Sequence, residues 1–428
     1  MSKKIGLGEA MSIGIGGMVG GGIFAVLGLA VHLAEGGTPI AFFFAGIIAL
    51  ITSYSYVKLS LKYPNRGGTV KFINQGFGNS IFSGGINNLL WISYIIMISL
   101  YASAFGSYAP NLFKFIDRSF DFHIYASAVI LLATFINYYS IKVVSEIESL
   151  AVVIKLIILL LFVVIGIYGL FSSPSEMQLY VSHWETPLKL IAGGMVIFVA
   201  YEGFELIANA APDIKNPKKN IPKAYYYSVI LVIIIYVIIA TVTVGSLPFD
   251  AIENAKDYVL AEAARPTLGK TGFIAITIAA LISTFSAINV SLYGSSNVSY
   301  EIAKEDELPQ QFTKKIWKQP IGLIITTIAT LLITNLLDIE SISTAGSTGF
   351  LLIFAMVNFV GLKKCKEING NKIISFLGFL LCMAALFILM NQQFHTNQTG
   401  VIVVLSIIGV CFIVEFIYKK YGKKRTII

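Results

Sequence analysis

Six glycines within nine residues interrupt the first apolar stretch of the chain, which covers about residues 9–33. Each glycine in a helix interior costs about 1 kcal/mol relative to alanine, so a helix that contains six of them does not stay wound there. Inside a bilayer, unwound backbone is tolerated only where protein or a water-filled cavity satisfies its polar groups. The pattern therefore predicts a broken membrane helix around a polar ligand site, which is typical of secondary transporters. The six glycines are Gly14, Gly16, Gly17, Gly20, Gly21 and Gly22.

The rest of the chain has the composition of a membrane protein. Of its 428 residues, 56% are hydrophobic and 13% are charged, and the mean hydropathy is +0.79. Apolar runs of about 20 residues, the length that spans a hydrocarbon core, alternate with short charged stretches. We predict an all-α polytopic membrane protein with twelve transmembrane helices, spans 1 to 12. They are expected at about 9–33, 39–57, 82–112, 123–141, 149–171, 189–211, 224–247, 271–300, 321–337, 342–361, 373–390 and 400–418.

The basic residues predict how these spans are oriented. With the N-terminus in the cytoplasm, 24 of the 31 Lys and Arg residues lie on the cytoplasmic side, six lie on the other side, and Lys155 lies within a span. The positive-inside rule then predicts a multi-pass protein of the cytoplasmic membrane with both termini cytoplasmic. The net charge of +8 is thus a topology signal rather than a nucleic-acid-binding patch. The three cysteines show no disulfide or metal-site spacing, and no metal, cofactor or obligatory protein partner is expected.

A second interruption lies five spans after the first. In span 6, Glu202 and Glu205 flank Gly203 within residues 200–205. Breaks at corresponding positions predict that spans 1–5, about 9–171, and spans 6–10, about 189–361, are inverted repeats, because an odd number of helices reverses the orientation. Spans 11 and 12, about 373–418, are then appended to a single transmembrane transporter domain that covers residues 1–428.

Several short motifs resemble one known family. The chain is similar to the amino acid–polyamine–organocation (APC) superfamily of permeases, and within it to archaeal-type proton-coupled, broad-specificity amino-acid transporters. This resemblance implies a LeuT-type fold of 5+5 inverted repeats with helices 1 and 6 broken. Two positions depart from the family pattern: Glu305-Asp306 replaces Asp-Gly, and Glu202 replaces an apolar residue. The motifs are Gly16-Gly-Met-Val-Gly-Gly-Gly-Ile-Phe24, Tyr63-Pro-Asn-Arg-Gly-Gly68, Gly76-Phe-Gly78, Gly203-Phe-Glu205, Ser286-Ala-Ile-Asn289 and Ala303-Lys-Glu-Asp-Glu-Leu-Pro309.

The broken helices suggest how an amino acid would be held. A half-helix N-terminus offers free N–H groups and a positive dipole end, so Gly20, Gly21 and Gly22 are expected to bind the substrate carboxylate. The ammonium group needs acceptors, which the freed carbonyls near Gly17 and Met18 and those at 200–202 (Ala200, Tyr201, Glu202) can supply. The alternative is that the glycines only allow close helix packing.

Two carboxyls and two aromatic residues are further candidates. Intramembrane carboxylates are costly and often functional, so Glu202 is a candidate to face the substrate and favour a cationic side chain, and Glu205 is a candidate for the proton pathway. The alternative is a structural carboxyl pair. Tyr94 and Phe204 could stack on the substrate or gate it, although aromatic residues at helical spacing more often pack in a core.

Lys155 is the one basic residue within a predicted span. Desolvation disfavours its charged form, which makes it a candidate proton acceptor. The resemblance implies that its ammonium takes the place of the sodium ion of sodium-coupled relatives, between spans 1 and 8. Polar residues of span 8 would line that position: Ser283, Thr284, Ser286 and Asn289. The alternative is that Lys155 snorkels to the membrane surface.

Together these features predict a proton-coupled amino-acid transporter in the lipid bilayer, with a small amino acid and protons as its ligands. Two alternatives remain open: a cationic amino-acid or polyamine permease or exchanger, and a non-transporting nutrient sensor of the same fold. An enzyme is not expected, since the sequence contains no catalytic motif.

Overall fold

The computed structural model describes residues 4–139, 141–171, 173–316 and 319–421. In these residues, nine helices are long and apolar enough to cross a membrane, and two bent helix pairs each make a further span. A shorter apolar helix, Ile321–Leu336, lies where span 9 is predicted. The chain is therefore a polytopic all-α membrane protein. The unbroken spans are Thr38–Lys62, Ile81–Tyr108, Arg118–Tyr139, Ile141–Leu170, Pro217–Ser246, Arg265–Lys304, Ile321–Leu336, Ile339–Lys363, Lys372–Thr396 and Gln398–Tyr421.

Spans 1 and 6 are broken, as the glycines predict. Span 1 consists of Leu7–Met18 and Gly22–Ala34, whose axes differ by 44°. Span 6 consists of Pro187–Val196 and the short helical turns within Phe198–Asp213, and it bends by 54°. The inverted-repeat relation between the two halves stays a prediction.

The spans differ in how much of their surface other helices cover. The apolar window of span 3 is 89% buried, whereas those of spans 4, 11 and 12 are each 28% buried. Span 3 therefore lies at the centre of the bundle, while spans 4, 11 and 12 present most of their surface outward, where lipid is the solvent. The broken spans also lie in the centre, since almost every residue from Val19 to Val31 is buried.

Short elements cover both ends of the bundle. Because each span reverses the chain direction, the connections after even-numbered spans lie on the same side as the N-terminus, which we call the N-terminal face, and the others lie on the opposite face. The N-terminal face carries Thr69–Phe77, Gln310–Thr313 and the paired two-residue strands Lys315–Ile316 and Gln319–Pro320. The opposite face carries Ala109–Asn111, Pro174–Leu179, Val181–His183, Phe249–Asn254, Lys256–Tyr258 and Val259–Ala263.

Residues 305–307 form a tight turn at the N-terminal face. Asp306 has φ +57°, the left-handed conformation that glycine adopts without strain, at the position where the family motif has glycine. Glu307 is fully buried and accepts hydrogen bonds from Asn87 Nδ2 (2.6 Å) and Ser83 Oγ (3.0 Å) of span 3. The departure from the motif is therefore accommodated by a turn anchored on the central helix.

Candidate functional site

The breaks of spans 1 and 6 touch each other through their backbones. A Cβ atom added to Gly17 would lie 2.8 Å from Gly203 Cα, and one added to Gly203 would lie 2.4 Å from the Gly17 carbonyl carbon. Gly203 also has φ +116°, which L side chains rarely adopt. Only glycine fits at either position, and the two interruptions form one site.

The second half of span 1 begins with a row of free donors. Its first helical hydrogen bond runs from Ala25 N to Gly21 O at 3.0 Å. Within the described chain, the five preceding N–H groups, those of residues 20–24, have no hydrogen-bond acceptor. Such a helix N-terminus combines free donors with the positive end of the helix dipole and suits an anion. The donors predicted at Gly20, Gly21 and Gly22 are therefore available, and Ile23 and Phe24 extend the row.

Close packing also explains two of these glycines. A Cβ atom at Gly21 would lie 2.3 Å from Tyr101 Cδ1, and one at Gly22 would lie 2.8 Å from Ala200 Cα. The two readings of the glycines are compatible, because a residue without a side chain both admits a neighbour and exposes its N–H group. Tyr101 of span 3 is the side chain that packs against Gly21.

Tyr236 of span 7 bridges the two breaks, and the sequence analysis missed it. Its hydroxyl donates to Met18 O at 2.6 Å and to Ala200 O at 3.2 Å. Two of the carbonyls expected to receive a substrate ammonium are thus already engaged. The carbonyls of Gly17, Tyr201 and Glu202 have no donor in the described residues. The one available signal was a tyrosine in the long apolar run of span 7.

Lys155 and Ser283 bind the same break from two other spans. The Lys155 side chain is fully buried, and its Nζ donates to Gly16 O at 3.2 Å. Ser283 Oγ donates to Val19 O at 3.1 Å and also to Gly20 O. A snorkelling lysine would have an exposed side chain, so that alternative is wrong. Ser286 is also buried on span 8.

The two other residues of the polar row on span 8 have different partners. Thr284 Oγ1 donates to Ala280 O of its own helix at 2.7 Å, because a threonine can bond the carbonyl one turn earlier. Asn289 pairs with span 4, where Asn137 Nδ2 donates to its Oδ1 at 3.2 Å. The expectation that Asn289 lines the break is therefore wrong, and that Thr284 lines it stays a prediction.

Glu205 ties the break of span 6 to span 3. Its Oε1 accepts a hydrogen bond from Tyr94 OH at 3.0 Å, and its Oε2 accepts one from Gly203 N at 2.7 Å. The Tyr94 ring lies edge-on to Phe350, with 6.0 Å between the ring centroids. Phe204 packs among Tyr56, Tyr225 and Phe354. Tyr94 and Phe204 thus lie in the core, and this favours their packing alternative.

Glu202 is the least satisfied polar group of the site. It is fully buried, and neither carboxyl oxygen has a hydrogen-bond partner in the described part of the chain. Its neighbour is the Glu205 carboxyl, with which it can share a hydrogen bond when one of the two groups is protonated, so the alternative of a structural carboxyl pair stays open. The adjacent Tyr201 is committed elsewhere, because its hydroxyl donates to Phe42 O of span 2 at 2.8 Å. A buried carboxyl without a partner is costly unless it is protonated or meets a cation.

The two faces differ in their access to this site. The cavity at Gly17 and Gly203 measures about 10 Å³, which is room for about one water molecule. Towards the opposite face, a cavity of about 700 Å³ reaches Ala25, one turn beyond Gly21. At the N-terminal face, Arg66 forms a salt bridge with Asp213 at 3.1 Å, which joins the connection after span 2 to the end of span 6. The break thus has little free volume at its centre, and the large cavity lies on the side of the opposite face.

Comparisons with known proteins agree with this architecture. The family model "Amino acid permease" matches residues 5–413. The uncharacterized protein MJ0609 of Methanocaldococcus jannaschii is 35% identical over 425 residues, which cover 99% of this chain and 97% of that protein. The inner membrane transport protein YbaT of Escherichia coli is 31% identical over 423 residues, 98% of this chain and 97% of its own. The branched-chain amino acid permease BcaP of Bacillus subtilis is 22% identical over 464 residues, which cover 99% of this chain and 94% of that protein.

Proposed function

Because the chain belongs to the amino acid permease family, we propose that it moves amino acids by proton symport through the paired breaks of spans 1 and 6. The family makes the chain an integral membrane transporter of amino acids. The finer points, namely where the substrate binds, how a proton is coupled and which way the protein faces, are argued below from the contacts of the site.

The row of free N–H groups at residues 20–24 is the observation that carries this proposal. Every α-amino acid has a carboxylate, and a helix N-terminus with unpaired donors binds such a group without a basic side chain. Across the break, the carbonyls of Gly17, Tyr201 and Glu202 are free to accept from the ammonium group. The substrate is held by backbone alone at its common end, which supports recognition of amino acids as a class.

Lys155 is proposed as the coupling group. In its ammonium form it makes a charge-assisted hydrogen bond to Gly16 O, and so it joins span 5 to the first half of span 1. Loss of the proton weakens this bond while the Ser283 contacts to Val19 and Gly20 remain. The first half of span 1 is then freer to move against span 5, which supports release of the substrate together with the proton.

The orientation completes the proposal. With both termini cytoplasmic, as the basic residues favour, the 700 Å³ cavity opens to the outside and the Arg66–Asp213 pair closes the cytoplasmic face. An inverted repeat of spans 1–5 and 6–10 would provide the mirrored state, in which one set of spans rocks against the other.

The test is uptake into proteoliposomes that hold the full chain. A panel of labelled amino acids is supplied with an inward proton gradient and no sodium, and each amino acid is compared with its amide. Accumulation of at least one amino acid, but not of its amide, is expected. Lys155→Ala should abolish accumulation, whereas Lys114→Ala, which changes an exposed lysine, should not. Accumulation by Lys155→Ala with the proton gradient alone, or a sodium requirement, would refute the coupling. Absence of any uptake would favour the sensor alternative.

Glu202 supports a second candidate, a permease for cationic amino acids or polyamines. Its buried carboxyl meets no ordinary hydrogen-bond donor among the described residues and is suited to a second ammonium group at the end of a substrate side chain. Glu202→Gln should then lower uptake of cationic substrates relative to neutral ones. An unchanged substrate ranking at normal expression would exclude this role.

A further inference from the structure

The cavity on the opposite face shares one wall with the helix that carries the row of free N–H groups. Its wall includes Ala25 and Leu29, which lie one and two turns beyond Gly21 on the second half of span 1. Its volume of about 700 Å³ lies within the range of about 300–1,000 Å³ that is usual for small-molecule sites. The cavity therefore lies within two helical turns of the row of free N–H groups, on the side of the opposite face.

The two cations in its wall differ in how firmly they are held. The Arg118 guanidinium stacks on the Tyr258 ring at 3.9 Å from the centroid, and Nη2 donates to Ser107 O at 3.3 Å. A guanidinium has five N–H donors, so Arg118 keeps donors for a ligand. Lys256 Nζ lies 3.9 Å from a carboxyl oxygen of Glu340, the limit of a salt bridge. Arg118 is therefore the cation that is positioned before a ligand arrives.

The acidic groups of the wall differ in what they already bind. Asp338 caps span 10 by accepting from Ser341 N at 2.8 Å, and Glu340 faces Lys256. Asp257 has no hydrogen bond or salt bridge in the residues that the structure describes, although Lys256 and Arg118 are its charged neighbours. Its side chain is open to the cavity, while the surrounding wall buries it enough to raise the pKa of its carboxyl above the ordinary value. Asp257 is thus a free carboxyl in a concave wall.

We propose that this cavity is a first binding site for the transported amino acid, in which Asp257 accepts from the ammonium group and Arg118 donates to the carboxylate. This inference rests on the proposed transport of amino acids and adds a second site to it. A zwitterion fits a wall that presents a free carboxyl beside a fixed guanidinium, because each charge of the ligand meets its opposite. The cavity thereby selects amino acids before the central site opens.

The test compares Asp257→Asn with Glu253→Gln in uptake by proteoliposomes. Asn has the shape of Asp without its charge, and Glu253 is an exposed acid of the same connection outside the cavity wall. Asp257→Asn should raise KM for uptake by about tenfold or more and leave the maximal rate within about twofold, since a charge-assisted hydrogen bond is lost only at the first site. Glu253→Gln should change neither.

A binding measurement separates the two sites. Gly17→Val fills the contact between the breaks and is expected to stop transport while the cavity still binds labelled amino acid. Adding Asp257→Asn should remove that binding, and adding Glu253→Gln should not. The inference is overturned if wild type takes up amino acids while Asp257→Asn keeps the KM of Glu253→Gln, or if properly folded Gly17→Val binds no substrate. Loss of all uptake by wild type would instead overturn the proposed function.

Discussion

Removing the hydroxyl of Tyr236 should loosen the contact between the two breaks while leaving the packing intact. One hydroxyl proton is shared between Met18 O at 2.6 Å and Ala200 O at 3.2 Å, and the ring packs edge-on against Phe42 and Tyr201. Tyr236→Phe keeps the ring and leaves two buried carbonyls without this donor. A buried polar group left unsatisfied costs about 1–3 kcal/mol, so the free energy of unfolding should fall by about that amount.

The matched control is Tyr227→Phe on the same span. Tyr227 is exposed towards the lipid, so loss of its hydroxyl should change the free energy of unfolding by less than about 0.5 kcal/mol. Denaturant titration of both purified variants measures the difference, and uptake kinetics measure its consequence. KM of Tyr236→Phe should rise, because the donors of span 1 and the acceptors of span 6 are no longer held in register. Equal stabilities and equal KM values for the two variants would show that Tyr236 does not stabilise the paired breaks.

Two further changes test the site and its supporting turn. Gly203→Ala places a side chain on a residue that has φ +116° and a close backbone contact, so it should lower the free energy of unfolding by more than about 2 kcal/mol and stop uptake. The control is Gly294→Ala, which lies in open space on a helix and should be neutral or stabilising in the same denaturant titration. Burial raises the pKa of the Glu307 carboxyl, so this carboxyl binds its proton more tightly in the folded protein than in the unfolded chain. The protonated carboxyl therefore stabilises the fold at low pH, and this contribution is lost as the pH rises above about 4.5 and through the higher pKa of the folded state. Glu307→Gln should flatten that decline in unfolding midpoints measured between pH 4 and pH 8, and an unchanged slope would refute it.

The breaks were predictable from sequence because their cause is local. Six glycines in nine residues weaken a helix wherever it lies, and a charged pair around Gly203 marks the second interruption in the same way. The apolar run around Lys155 left its role open, and the family resemblance implied its position beside span 1, where its Nζ donates to Gly16 O. The apolar runs predicted twelve spans, and the described residues contain helices at all twelve places.

The partners of these groups were not predictable, because they depend on which side of each span faces inward. When a helix is apolar on all sides, its sequence does not show which side faces the bundle interior, so Thr284 and Asn289 could not be distinguished from Ser283. Tyr236 reaches Met18 across 218 positions of sequence, and nothing in its own segment indicates that contact. The cavity at Asp257 is formed by five separate segments. That the Asp257 carboxyl has no hydrogen bond or salt bridge among the described residues is seen only when the partners of the other charged groups in the wall are known.

The contacts of span 1 also limit how far the proposed loss of one proton from Lys155 can shift the equilibrium between two conformations. Lys155, Tyr236 and Ser283 bind its break from three spans, and in the proposed mechanism Lys155 is the one that gains and loses a proton. A hydrogen bond from a charged donor contributes about 1.5–3 kcal/mol and one from a neutral donor about 0.5–1.5, so deprotonation biases the two states by roughly 1–2 kcal/mol. A full exchange of populations from 1:99 to 99:1 needs about 5.5 kcal/mol. In the proposed mechanism the remainder comes from substrate contacts at residues 20–24 and across the break. Proton flux should therefore require substrate. A pH-sensitive dye inside proteoliposomes should report little proton entry until an amino acid is added. Equal proton entry without the amino acid would contradict joint control by the proton and the substrate.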